Sequence, residues 1–297
     1  MRYDDVHEPG DDRPGRIPDD AEDGPVGTPV LPGWVGDRRE RARLAVDRLL
    51  PTRAARLAGA AYVLVTLAHL VLVMPYLGLL DPVVVAGVGV DLPRVTQSVM
   101  MPLLALTFFL ATPPYRLAGK PRERPRLVLL VFLALGLGWA GDTAPGLVPP
   151  DLTFLAMIGP FLLAQVAYVL AFRPFAASSP VRRVPVVAAY GVVGLAVVGA
   201  CAPQLVASGA SGAAYLAGLI VYCAVICTMA ILAWGVHRLA GIGAIVFLVS
   251  DAVIALTSFT AAVMWEPFAM WSGVLVMTTY GVAQALIVVG VLRRVLR

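Results

Sequence analysis

The sequence predicts an all-α, polytopic integral membrane protein: a bundle of about eight transmembrane helices with both termini in the cytoplasm. Three observations predict it. First, 59% of the 297 residues are hydrophobic and only 14% are charged, with a mean hydropathy of +0.82. Soluble domains are about a quarter charged, and so little charge cannot cover this much apolar surface in water. An ordinary soluble enzyme is therefore excluded. Second, the apolar residues fall into segments close to the roughly 20 residues that a helix needs to cross the hydrocarbon core. Third, the basic residues alternate between the connections. The net charge of +4 is small and unevenly placed, and nothing in it points to a nucleic-acid partner.

Residues 1–37 hold ten Asp and Glu, three Arg and many Pro and Gly. Such a stretch buries too little apolar surface to offset its ordering entropy, so it is expected to be a disordered acidic tail. Residues 38–54 form a basic juxtamembrane segment, with Arg38, Arg39, Arg41, Arg43, Arg48 and Arg53 against Glu40 and Asp47. Leu44, Leu49 and Leu50 give it a partly apolar side. It is either a helix lying on the anionic inner leaflet or a solvated lead-in that fixes orientation.

The membrane domain is expected over 55–292. Its eight segments lie near 55–74, 95–111, 127–144, 152–171, 184–201, 212–233, 241–260 and 268–292. The third is short and should extend into the loop before it. Residues 77–94, broken by Asp81, Pro82, Asp91 and Pro93, read as a long outer loop that dips into the membrane. Arg38–Arg56, Arg116–Arg126, Arg173–Arg183, Arg238 and the C-terminal arginines all fall on one side. The tail aside, that side carries 19 basic residues, and the other carries only Arg94. Positive charge stays in the cytoplasm, so both termini belong inside the cell membrane. Arg outnumbers Lys 22 to 1, the usage of a GC-rich, bacterial genome.

Ionisable residues inside a span are costly and are functional candidates by default. Here they are His69, Asp142 and Asp251. All three belong to spans running from inside to outside, at depths of roughly 15–22 Å, taking 1.5 Å per residue. They are placed to share a cavity. The alternatives are structural: an interhelical hydrogen bond for His69 or Asp251, and contact with headgroup water for Asp142. Gln165 and Tyr168 share a face of the fourth span, and Tyr280 and Gln284 a face of the eighth. Each pair can serve as a helix-bridging hydrogen-bond group. Cys201, Cys223 and Cys227 sit in apolar runs as core residues, with no metal motif and no disulfide framework. No cofactor is expected.

The blocks Gly141-Asp142, Phe161 to Phe172, Gly243 to Asp251 and Thr279 to Ile287 resemble the YhhN-like family of membrane proteins, the lysoplasmalogenases. The Ser250-Asp251 block and the Tyr280 to Gln284 block are the most specific parts, and the resemblance covers about 55–292. It implies an eight-span bundle that hydrolyses the vinyl-ether bond of lysoplasmalogens. The family's two intramembrane aspartates correspond to Asp142 and Asp251. Two positions depart from the family pattern. Gln97-Ser98 stands where the family tends to have Lys-Pro, and Ala164-Gln165 where it tends to have Ala-His. The substrate would then be a lipid taken from the bilayer. Asp142 and Asp251 would be catalytic, with His69, Gln97, Gln165, Tyr168, Ser250, Tyr280 and Gln284 supporting. An apolar bundle disfavours a charged carboxyl, which makes Asp251 the expected proton donor. Asp142, nearer the wet end, is the expected anion. Intramembrane aspartates equally suit a small-solute or proton-coupled transporter, although no internal repeat relates the two halves. The sequence sets no oligomeric state.

Overall fold

The computed structural model describes residues 34–74, 91–260 and 265–296. Residues 1–33 of the expected tail and 77–90 of the expected outer loop lie outside the described residues; the described remainder differs from expectation, since Trp34–Asp37 of the tail and Leu92–Arg94 of the loop are helical. The chain divides into two compact units, residues 1–42 and 43–297. Of the first, only the start of a helix, α1 (Trp34–Leu49), is described. The basic stretch is thus helical, and its helix begins before Arg38.

Among its described residues the second unit holds eight helices long and apolar enough to cross a membrane. They are α2 (Arg53–Leu72), α3 (Leu92–Ala111), α4 (Glu123–Thr143), α5 (Thr153–Phe172), α6 (Val184–Ala207), α7 (Gly209–Val236), α8 (Arg238–Phe259) and α9 (Glu266–Val295). Each matches one expected segment. The short third one does begin earlier, at Glu123, and Pro145 lies in a 3-10 turn directly after α4. Polar caps mark several starts. Thr52 Oγ1 accepts from the Ala55 amide at 3.1 Å, Asp91 Oδ1 from the Arg94 amide at 3.1 Å, and His237 Nδ1 from the Leu239 amide at 3.0 Å. These groups satisfy N–H donors that a helix cannot pair internally. No strand occurs among the described residues.

α9 is the central helix. It touches α2, α3, α4, α7 and α8, and its buried face includes Tyr280, Gln284, Ile287 and Val291. α8 packs against it most closely, because small residues let the backbones approach. A Cβ added at Gly290 would fall 2.5 Å from the Ala240 nitrogen, and one at Gly243 would fall 2.8 Å from the Ala283 oxygen. α6 is peripheral: only 6% of its most apolar stretch is buried, against 44% for α9. Leu195, Val192 and Val184 are exposed on it, as Leu57 and Leu64 are on α2. Such apolar outer faces are what lipid, rather than water, covers.

The two ends of the bundle sort the connections as the charge pattern requires. At one end Arg116 donates to the carbonyls of Ala111 and Arg48, both at 2.9 Å. There too Arg124 donates to the Val295 carbonyl at 3.2 Å, and Arg294 lies over the Phe175 ring. At the other end Phe154 meets Phe259 and Tyr215 edge-on, with centroids 5.2 and 5.7 Å apart. The basic connections therefore share one end, and the starts of α5 and α7 share the other with the end of α8.

Candidate active site

The site begins with three residues on one face of α4. Gly138, Gly141 and Asp142 follow at i, i+3 and i+4, so they line up over one turn. A Cβ at Gly138 would stand 3.1 Å from the Tyr280 hydroxyl, and one at Gly141 only 2.8 Å from the Phe161 ring. The two glycines thus admit Tyr280 from α9 and Phe161 from α5. Tyr280 is held edge-on between Phe161 and Phe247, at centroid distances of 5.7 and 5.6 Å. Clamped in this way, its hydroxyl donates to Asp142 Oδ2 at 2.9 Å. From α3, Gln97 Nε2 reaches Asp142 Oδ1 at 3.5 Å.

Asp251 stands on α8. Its Oδ2 accepts from the Tyr222 hydroxyl of α7 at 2.5 Å. The neighbouring Ser250 Oγ donates to the Val276 carbonyl at 3.1 Å and pins α8 to α9. Asp142 and Asp251 line one cavity of about 460 Å³, together with Gln97, Ser250, Tyr280 and Arg94. A second, carbon-lined cavity of about 170 Å³ lies among α5, α6, α7 and α8. Met157, Phe161, Asp251 and Ile254 line both. Leu155 and Val193 border the second cavity and are half-exposed on the outer surface. The polar cavity therefore adjoins an apolar one that reaches the lipid-facing side.

Four further sequence-predicted residues, His69, Gln165, Tyr168 and Gln284, are not among those that line these two cavities. His69 is buried, with Nδ1 2.9 Å from Thr96 Oγ1. Thr96 Oγ1 already donates to the Leu92 or Pro93 carbonyl, both at 2.9 Å. The contact makes His69 a helix-bridging group between α2 and α3. Tyr168 donates to Gln284 Oε1 at 2.6 Å, tying α5 to α9 in the core. Gln165 is fully buried on α5 beside Tyr222, the partner of Asp251. None of these four lines either of the two cavities.

Two residues at the site escape sequence reasoning. Tyr222 lies in an apolar run between Leu219 and Ile226, and its one signal is a hydroxyl that must find a partner when buried. Arg94 has a clearer signal, as the single basic residue on the outer side. Among the described residues, no three His, Cys, Asp or Glu side chains gather as a metal site.

Comparison with known proteins agrees with this architecture. The model of the YhhN family matches residues 93–291, which takes in α4, α5, α8 and the Tyr280 turn of α9. No curated protein and no solved structure matches the chain. An eight-helix membrane bundle matched by that model over two thirds of its length belongs to the YhhN family.

Proposed function

We propose that this protein is a lysoplasmalogenase-type hydrolase of the cell membrane, which cleaves the vinyl-ether bond of lysoplasmalogen-like lipids to a fatty aldehyde and a glycerophospho-alcohol. The observation that carries the reading is the shared cavity: two carboxyls from different helices face one polar space that adjoins a carbon-lined one. Family membership supports it.

The chemistry needs both carboxyls. Hydrolysis of a vinyl ether starts with proton transfer to its β-carbon. The resulting oxocarbenium ion captures water as a hemiacetal, with loss of a proton. The hemiacetal then breaks its C–O bond to release aldehyde and alcohol. One carboxyl must hold a proton to give, and the other must be an anion that steadies the cation and orients water, the division of labour of glycosidase pairs. Asp142 accepts from two donors, Tyr280 and Gln97, which suits an anion. Asp251 accepts from Tyr222 through Oδ2, which leaves Oδ1 as the oxygen to carry the proton. The apolar cavity, whose lining reaches the outer surface at Leu155 and Val193, supplies carbon-lined space for the hydrocarbon chain.

The test uses purified full-length protein in detergent with a 1-alkenyl lysophospholipid. Fatty aldehyde should be released, and Asp251→Asn and Asp142→Asn should each lower turnover by about 10²–10⁴-fold, the range of general acid–base catalysis. Near-normal aldehyde release by Asp251→Asn would refute the acid assignment. Solute flux into sealed vesicles with no aldehyde would replace the hydrolase by a transporter.

A further inference from the structure

We propose that Arg94 is the phosphate-recognising residue of this cavity, a subsite for the anionic headgroup of a lysophospholipid. The proposal rests on the lipid reading above and adds the residue that recognises the headgroup phosphate. Three observations carry it. Arg94 lines the same cavity as Asp142 and Asp251. It stands one turn before Gln97 on α3, and Gln97 reaches Asp142, so Arg94 lies about 4.5 Å further out along the helix axis. It is also the one departure from the charge bias of the connections. A cation on the outer side opposes the usual distribution, and its position at the rim of the cavity gives it a use.

The guanidinium rests on the chain at Gly146 on one side and is otherwise largely exposed, which leaves it donors. A Cβ at Gly146 would fall 3.2 Å from both Arg94 Cζ and Nε, so the guanidinium lies in contact with the backbone there, where a side chain would displace it. Arg94 Nε is 3.6 Å from Asp91 Oδ2, an exposed pair. Its two terminal nitrogens have no hydrogen-bond partner among the described residues. A guanidinium fork matches two phosphate oxygens. The Asp142 carboxylate deeper in the cavity repels an anion, which confines phosphate to the rim. A lysolipid with its ether linkage between the carboxyls has its phosphate one glycerol unit away, towards that rim.

The experiment reads binding rather than turnover, so it is independent of the hydrolase reading. Full-length protein in a neutral detergent is titrated with a saturated 1-alkyl lysophosphatidylethanolamine, with 1-alkylglycerol, which lacks the phosphate, and with inorganic phosphate. The wild type should prefer the lysophospholipid over the alkylglycerol by about 10- to 100-fold, the scale of a charged hydrogen-bond pair. Arg94→Gln should remove that preference, and Arg94→Lys should keep part of it. Gly146→Val should weaken the preference while leaving the charge in the chain. Each variant's Tm in the same detergent reports that it is folded. A wild type without preference, or an Arg94→Gln protein that keeps it, would overturn the assignment. Inorganic phosphate bound at Arg94 as tightly as the lysophospholipid would overturn the lipid headgroup in favour of free phosphate. Aldehyde release with an unaltered headgroup preference in Arg94→Gln would discard this subsite and leave the hydrolase intact. Arg94-dependent binding without aldehyde release would do the reverse.

Discussion

Asp142 receives two hydrogen bonds and Asp251 one. If Asp142 is the anion, its bond from Tyr280 is a charged one, worth about 1.5–3 kcal/mol, whereas a bond to a neutral Asp251 is worth about 1 kcal/mol. Tyr280→Phe should therefore cost about 10- to 100-fold in turnover, and Tyr222→Phe about fivefold. Steady-state aldehyde release from the two variants checks this, and the opposite order would exchange the roles of the carboxyls. The Asp142→Asn, Asp251→Asn double variant should turn over little slower than either single one, because groups that act as a unit are not additive. A multiplicative loss would separate them. Asp142 and Asp251 are legible in the sequence because a carboxyl within an apolar segment is costly and rare. Tyr222 is not, since a tyrosine in such a segment is ordinary and its partner lies on another helix. His69 is legible for the same reason as the aspartates, yet it is bonded to Thr96 and lies outside both cavities. Depth along a helix says nothing about the direction in which a side chain points.

At the scale of elements, the closest approach is that of α8 and α9, and the site depends on it. Ser250 binds α9 backbone one residue from Asp251, and Tyr280 comes from α9 itself. Gly290→Leu forces side-chain atoms into space held by Ala240. It should destabilise by about 1–3 kcal/mol, the usual cost of overpacking. Gly273, on the same helix, has nothing within 4 Å of an added Cβ, so Gly273→Ala should leave stability unchanged or slightly raised. Unfolding midpoints in one detergent compare the two, and equal midpoints would contradict the packing. All eight spanning helices can be located from apolar run length alone. Their neighbours cannot: that α9 sits centrally and α6 outside follows from which faces carry small residues and buried aromatics, a property of pairs of helices.

For the whole molecule, the grouping of basic connections at one end makes sidedness measurable. In a cysteine-free background, Asp151→Cys, Ser208→Cys and Glu266→Cys should react with an impermeant maleimide added outside cells. Arg122→Cys and Arg182→Cys should react only after permeabilisation. All five positions are exposed. Labelling of Arg122→Cys from outside would invert the orientation that the 19-to-1 bias requires.

The sequence by itself determines the class of this protein and the number and approximate places of its spans, and its charge pattern sets the sidedness to expect. Each depends on composition over about 20 residues, which the cost of burying charge in hydrocarbon makes decisive. It also singles out the two aspartates. Only the tertiary structure decides that they face one cavity, that Tyr222 and Tyr280 each donate to one of them, and that Arg94 stands at the rim. It equally decides that His69 bonds to Thr96 and Tyr168 to Gln284, and that Gln165 lies beside Tyr222. These relations join side chains from different helices, and they are set by how helices rotate and approach one another, which small-residue packing governs and linear spacing does not record.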